Sequence, residues 1–216
     1  MLTKTCCSLF LISVLLFSPK ANGDSLPPVI LTTAPSGLAV ELDFVATPSL
    51  PGFTTTVITL IPPAGESITG VDASFSGELN QVNPAGTPTV FQDINFLFGF
   101  VGADPLDDSQ FLFEPSDLLT FGAFNEESDS SLTGFFTFVE FPGDDVELEI
   151  AQLVAPAGST VELLLNIASE DLASPVSDIT TTSIDSSFVV PIVPEPSSAG
   201  IACAMVYLVV LRRRSR

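Results

Sequence analysis

The chain has 216 residues, 46% of them hydrophobic and only 15% charged, with a formal net charge of −20, no histidine and no tryptophan. Its six basic residues all sit near the ends, at Lys4, Lys20, Arg212, Arg213, Arg214 and Arg216, and of the 26 acids only Glu195 falls outside 24–193. That stretch therefore carries 25 carboxylates and no base, so no ion pair can form within it. It has no cation to meet a phosphate, which excludes nucleic acid and anionic lipid as its partners.

The first 23 residues have the three-part layout of a secretory signal. Lys4 supplies the positive start, Cys6 to Phe17 is an apolar run, and Ser18-Pro19-Lys20 breaks it. Ala21-Asn22-Gly23 then puts small residues where a signal peptidase reads, which predicts Asp24 as the mature N-terminus. The alternative, a buried N-terminal helix, fits poorly with so short a run ending at a proline. Cys6 and Cys7 do not mark a lipoprotein, because the preceding Thr3-Lys4-Thr5 is too early and too polar. All three cysteines (Cys6, Cys7, Cys203) lie in the hydrophobic ends, so the domain between them has no disulfide despite its expected oxidising destination.

From there the pattern is strand-like almost throughout. Leu38, Val40, Leu42 and Phe44 alternate with Ala39, Glu41 and Asp43, giving one apolar and one mostly polar face. Val57 to Ile61 is a short apolar run stopped by Pro62-Pro63. Ile68, Val71, Ala73 and Phe75 lead toward Gly77, and Ile94, Phe96, Phe98 and Phe100 form one face of a further strand. Leu132 to Phe141 is nearly continuously apolar, which predicts a strand buried on both sides. Val146, Leu148 and Ile150 oppose Glu147 and Glu149; Val161, Leu163, Leu165 and Ile167 repeat that design; Ile179 to Val190 is extended and rich in Thr and Ser. Proline and glycine punctuate these runs, and one short helix is expected near Pro115 to Leu119, capped by Ser116.

The predicted fold is all-β: a single antiparallel β-sandwich of about eight to ten strands. An N-terminal signal helix and a C-terminal transmembrane helix are expected to flank it. An outer-membrane barrel fits less well, because the strands are short, no Trp or Tyr girdle exists, and 25 carboxylates do not suit a lipid-facing wall. Stability must come from packing, with the 16 phenylalanines from Phe44 to Phe188 as its main source.

The chemistry left to such a domain is narrow. Without His, Cys, Lys, Arg, Tyr, Trp or Met it has no Ser-His-Asp, Cys-His or Ser-Lys nucleophile, no imidazole or thiolate zinc site and no arginine clamp. Only paired carboxylates remain, as in glycoside hydrolysis or an aspartyl dyad, and no motif supports either. A non-enzymatic protein is expected. Acidic clusters occur at Asp104-Asp107-Asp108, Glu126-Glu127-Asp129, Asp144-Asp145 with Glu147, and Glu170-Asp171. The first, in Gly102 to Ser109, is the best candidate for Ca2+, which takes six to eight hard oxygens. Solvated turns are the simpler account of all four. Phenylalanines at strand spacing read as core rather than as a sugar-binding platform. Thr54-Thr55-Thr56 and Thr180-Thr181-Thr182 lack the regular repeat of an ice-binding face and read as ordinary exposed strand residues.

At the C-terminal end, Val193-Pro194-Glu195-Pro196-Ser197-Ser198 leads into the apolar run Ala199 to Leu211, followed by Arg212-Arg213-Arg214-Ser215-Arg216. Thirteen apolar residues rise roughly 20 Å as a helix against a hydrocarbon core of about 30 Å, so the segment spans marginally and with help from snorkelling arginines. The arginines would keep the terminus in the cytoplasm and leave the domain outside. Pro194-Glu195-Pro196, a short hydrophobic segment and the basic stop Arg212, Arg213, Arg214 and Arg216 resemble the PEP-CTERM sorting signal, a tail also labelled the ice-binding protein C-terminal domain. The resemblance covers only about the last two dozen residues. It implies an exosortase-type protease-transpeptidase as a processing partner acting near Pro-Glu-Pro, and an association with extracellular polysaccharide; a plain unprocessed membrane anchor is the alternative. The expected organisation is a signal peptide at 1–23, an acidic sandwich at 24–190, a linker at 191–198, a membrane segment at 199–211 and a basic tail at 212–216. The expected role is that of an exported cell-surface or matrix protein, anchored in the inner membrane before processing. A Ca2+-dependent adhesion or carbohydrate-binding module is the alternative.

Overall fold

The computed structural model describes residues 25–47, 49–82, 104–113, 126–128, 130–138, 147–171, 174 and 178–194. The expected signal and membrane helices, the strand over Ile94 to Phe100 and the helix near Pro115 lie outside the described residues. Among those described, the only helical element is a single 3-10 turn at Pro105–Asp107. Ser25–Val193 makes one compact unit.

Ten strands are described: β1 Val29–Thr33, β2 Ala39–Ala46, β3 Phe53–Ile61, β4 Glu66–Gly77, β5 Gln110–Phe111, β6 Glu126–Ser128, β7 Ser131–Thr137, β8 Leu148–Pro156, β9 Thr160–Asp171 and β10 Ile179–Val189. They form two five-stranded sheets, ordered β1-β2-β3-β8-β5 and β10-β9-β4-β7-β6. Every pairing is antiparallel. Period-2 alternation explains which way each strand faces. In β2, Val40, Leu42 and Phe44 are buried while Glu41 and Asp43 are not, and in β9 Val161, Leu163, Leu165 and Ile167 alternate with exposed or half-buried neighbours.

The inner faces of the two sheets share one hydrophobic core. Phenylalanine rings join them. Phe44 of β2 meets Phe188 of β10 at 6.0 Å between ring centres, and Phe111 of β5 meets Phe136 of β7 edge-on at 4.6 Å. Phe113 continues the second group, touching Phe136 and Phe138 at 5.0 and 5.1 Å. Such tilted and T-shaped contacts are the favoured arrangements of aromatic quadrupoles.

Two Pro/Gly breaks are corners between sheets. Between β3 and β4 the chain passes from the first sheet to the second through Pro62-Pro63-Ala64-Gly65, with Gly65 at φ 81°. Between β8 and β9 it does so again through Ala157-Gly158-Ser159, with Gly158 at φ 90°. Prolines end the ladder because they lack an N–H, and glycine accepts the left-handed φ that the reversal needs.

Several expectations change. Val57 to Ile61 is the second half of a nine-residue strand that begins at Phe53. Thr54, Thr55 and Thr56 are buried within it rather than exposed, and Thr182 is buried in β10. Thr54 and Thr56 sit on the same face as Ile58, toward the core, whereas Thr55 faces outward and bonds Thr47 at 2.8 Å. The continuous apolar pattern after Leu132 does not give a strand buried on both sides: in β7, Leu132, Gly134 and Phe136 point inward, and Phe135 is 43% exposed. The doubly buried strand is β8, where consecutive residues from Ile150 to Ala155 are all buried. β1, β5 and β6 carry too few residues in alternation to announce themselves.

Candidate functional site

The acidic loop proposed for calcium folds into the 3-10 turn Pro105–Asp107 beside the end of β8. Its three aspartates take three different jobs. Asp104 closes the turn, accepting from the Leu106 N–H at 3.0 Å, while its own carbonyl accepts from the Asp107 N–H. Asp107 accepts from the Ser49 hydroxyl. Asp108 is 0% exposed, and its Oδ1 accepts from the Val82 N–H at 2.7 Å. With the Gln81 amide turned to its hydrogen-bonding orientation, that amide donates to the same oxygen at 3.0 Å.

Around Asp108 the polar groups knit two loop segments to β8. Asn80 N–H donates to the Val154 carbonyl at 2.7 Å, and Ser109 N–H donates to the Asn80 carbonyl at 3.0 Å. The Ser109 hydroxyl accepts from Val154 N–H at 2.9 Å, and the Gln152 side chain donates to the Asp108 carbonyl at 2.8 Å. A buried carboxylate without any cation is tolerable only when hydrogen bonds replace its water, and here they do. Asp104, Asp107 and Asp108 therefore do not make a ligand set. Among the described residues no group of three or more acids, histidines or cysteines is placed to hold a metal ion.

The remaining acidic clusters are dispersed where they are described. Glu126 and Glu127 lie on β6, Glu147 is exposed before β8, and Glu170 and Asp171 end β9. Asp129, Asp144 and Asp145 lie outside the described residues. Glu66 accepts from the Ser169 hydroxyl at 2.5 Å, across the β4–β9 ladder.

The second concentration of chemistry is one that alternation alone did not reveal. On the outer face of the second sheet lies a groove of about 610 Å³, lined from four adjacent strands. Gly70 of β4 and Ala168 of β9 stand opposite each other, with Thr137 of β7 and Thr181 of β10 continuing the same row. The next row is Ser183, Asn166, Asp72 and Phe135. It carries a hydrogen-bonded chain: Ser183 Oγ donates to Asn166 Oδ1 at 2.7 Å, and Asn166 Nδ2 donates to Asp72 Oδ2 at 3.3 Å. Only the cross-strand register brings these residues together, since they come from positions 70 to 183 of the chain. The sequence signal that could have found Phe135 is its parity: it alternates with Leu132, Gly134 and Phe136 and so must face away from them.

Of the sorting motif, Pro194 is described and exposed, directly after Val193, which is buried. Glu195, Pro196 and Arg212, Arg213, Arg214 and Arg216 lie outside the described residues. Among the described residues no helix is long and apolar enough to cross a membrane. The chain matches no family model, and no curated protein matches its sequence.

Proposed function

We propose that the chain is an exported, non-enzymatic cell-surface or extracellular-matrix protein, delivered by an N-terminal signal peptide and sorted by a PEP-CTERM-type tail. The observation that carries this reading is the order Pro194-Glu195-Pro196, thirteen-residue apolar segment, arginine cluster. Each part has a physical task. The apolar segment halts translocation, the arginines hold the cytoplasmic side, and the Pro-Glu-Pro element sits outside the membrane for an exosortase-type enzyme. A marginal span suits a temporary stop before processing.

Two features of the folded unit support it. Compact structure runs to Val193, the residue before the motif, and Pro194 is exposed. The domain's core is built of leucine, isoleucine and valine together with phenylalanine, and residues 24–193 contain no cysteine and no base, which suits a protein folding after export without thiol chemistry.

The test is to express the full chain in a host with and without an exosortase-type enzyme and to weigh the products. The expected products begin at Asp24 in both hosts and lose the arginine-ended tail only where the enzyme is present. Glu195→Ala should leave the tail attached. A chain that keeps Met1 and stays in the cytoplasm overturns the reading. A chain that is exported but keeps its tail beside an active exosortase reduces it to an ordinary anchored protein.

A further inference from the structure

One lateral side of the sandwich carries two open strand edges. β1 ends the first sheet and β10 ends the second. They lie on the same side: Phe44 of β2, the neighbour of β1, meets Phe188 of β10, and the Thr182 hydroxyl of β10 donates at 3.0 Å to Ser36 Oγ in the turn after β1. Natural edge strands are kept from pairing by shortness, prolines, bulges or inward-pointing charges. β10 has none of these devices. It runs for eleven residues without a proline, pairs with β9 without a register shift, and is unpaired on its other edge among the described residues. Its one charge, Asp185, is exposed with Ser183 and Ser187. The Val190 N–H donates to the Ser159 carbonyl at 2.9 Å, toward β9. Bonding alternates along an antiparallel ladder, so the odd residues from Ile179 to Val189 turn their N–H and C=O groups to the open edge.

Charge and hydrophobicity say what this side can meet. Residues 25–40 and 179–193 hold one acid, Asp185; the other 24 acids of the domain lie elsewhere. Five of the eight large hydrophobic residues exposed among the described residues are here: Val29, Ile30, Ile179, Val189 and Ile192. A cationic partner would be drawn to the acid-rich surfaces instead. A second copy, carrying the same negative charge, can approach only where that charge is missing. The strand is also complementary to itself. A two-fold axis at Asp185 would set two aspartates directly opposite each other, which is destabilising. An axis at Ile184 uses all eleven residues, with Ile179 opposite Val189 of the second copy, Thr181 opposite Ser187, and Asp185 opposite a serine hydroxyl, Ser183. At ordinary strand and sheet spacings the side measures roughly 37 Å by about 15 Å. Pairing then buries on the order of 1,100 Å² in all, just above the roughly 1,000 Å² that a specific interface needs.

We infer that two copies of this chain join antiparallel through β10, with the two-fold axis at Ile184, so that their second sheets become one continuous sheet. The inference does not rest on the sorting tail: a chain exported and processed as proposed, yet always monomeric, overturns this inference alone.

The experiment is sedimentation of the full-length chain in neutral detergent over a range of concentrations, at about 0.05 and 0.5 M NaCl, combined with disulfide trapping. The wild-type chain should dimerise, and more tightly at the higher salt, because screening weakens repulsion between two acidic bodies. In a background of Cys6→Ser, Cys7→Ser and Cys203→Ser, mixing Thr181→Cys with Ser187→Cys should give a disulfide-linked dimer. Neither variant alone should, since this register holds like positions roughly 20 Å apart. Ser183→Pro removes an N–H that faces the open edge and leaves the β9 ladder intact, so it should abolish the dimer at an unchanged thermal midpoint. Thr181→Glu, at an exposed position, adds two like charges at the joint and should weaken the dimer about tenfold or more even if the proline variant fails to fold. A monomer at every concentration and both salts overturns the inference. So does linkage in either cysteine variant alone as strong as in the mixture. A dimer that Thr181→Glu leaves intact belongs to another surface, such as the apolar tail, and overturns it as well.

Discussion

Thr56 faces the core from β3, and its buried hydroxyl has no hydrogen-bond partner among the described residues. A desolvated, unpaired hydroxyl carries a penalty of about 1–3 kcal/mol that valine would not have. Thr56→Val is therefore expected to raise the urea midpoint without changing the slope of the transition, and a lower midpoint would show that the hydroxyl has a partner in solution. Asp108 poses the opposite case. Its carboxylate is fully buried and holds the Val82 N–H, so Asp108→Ala should destabilise by roughly 1–3 kcal/mol. Glycines make the third test. A Cβ on Gly134 would collide with the Phe136 ring and come within 2.8 Å of Phe111 Cε2, two rings that tie the sheets together. Gly134→Ala should cost about 1–3 kcal/mol by overpacking, read as a lower unfolding midpoint. The sequence shows a glycine among phenylalanines; that it makes room for ring ends is visible only once β7 is packed on β5.

At the scale of strands, β7 and β8 show why hydropathy misled. The residues after Leu132 are apolar at both parities, as in a strand covered on two sides, yet β7 places Phe135 on the open face of its sheet. β8 is the strand covered on both sides, although it includes Gln152, because Asn80 and the Asp107–Ser109 segment fold against it and hydrogen-bond to it. Local sequence does not encode which strand a loop will cover. The difference is measurable. Phe136→Ala, removing a ring with no exposure, should cost roughly 3–5 kcal/mol, while Phe135→Ala next to it should stay within about 0.5 kcal/mol. Equal losses at both positions would mean that a partner covers the outer face of β7. The threonine runs teach the same lesson. Thr54-Thr55-Thr56 and Thr180-Thr181-Thr182 read alike in sequence, but the first sits in the interior strand β3 and the second on β10, an end strand in the order of its sheet.

For the whole molecule the governing quantity is charge. With 25 carboxylates and no base between residues 24 and 193, folding concentrates negative charge that nothing inside the domain neutralises. Raising NaCl toward a few tenths molar should raise the thermal midpoint of residues 24–193, as the Debye length falls below the spacing of surface acids. Ca2+ and Mg2+ at equal ionic strength should raise it alike, since the described acids form no ligand set. A rise of many degrees with Ca2+ alone would instead reveal a site by linkage of binding to folding. The sequence by itself determined the strand class, the one-sided charge, and the lack of histidine, cysteine, lysine and arginine between residues 24 and 193, because composition and period-2 alternation are local properties. The tertiary structure alone decided which Pro/Gly breaks turn within a sheet and which cross between sheets. It also decided that Asp108 is buried and hydrogen-bonded to Val82, and that Asp72, Phe135, Asn166 and Ala168 share one groove. Those outcomes rest on register and on contacts between residues as many as 99 positions apart in the groove, Thr69 and Ala168, and no local window contains them.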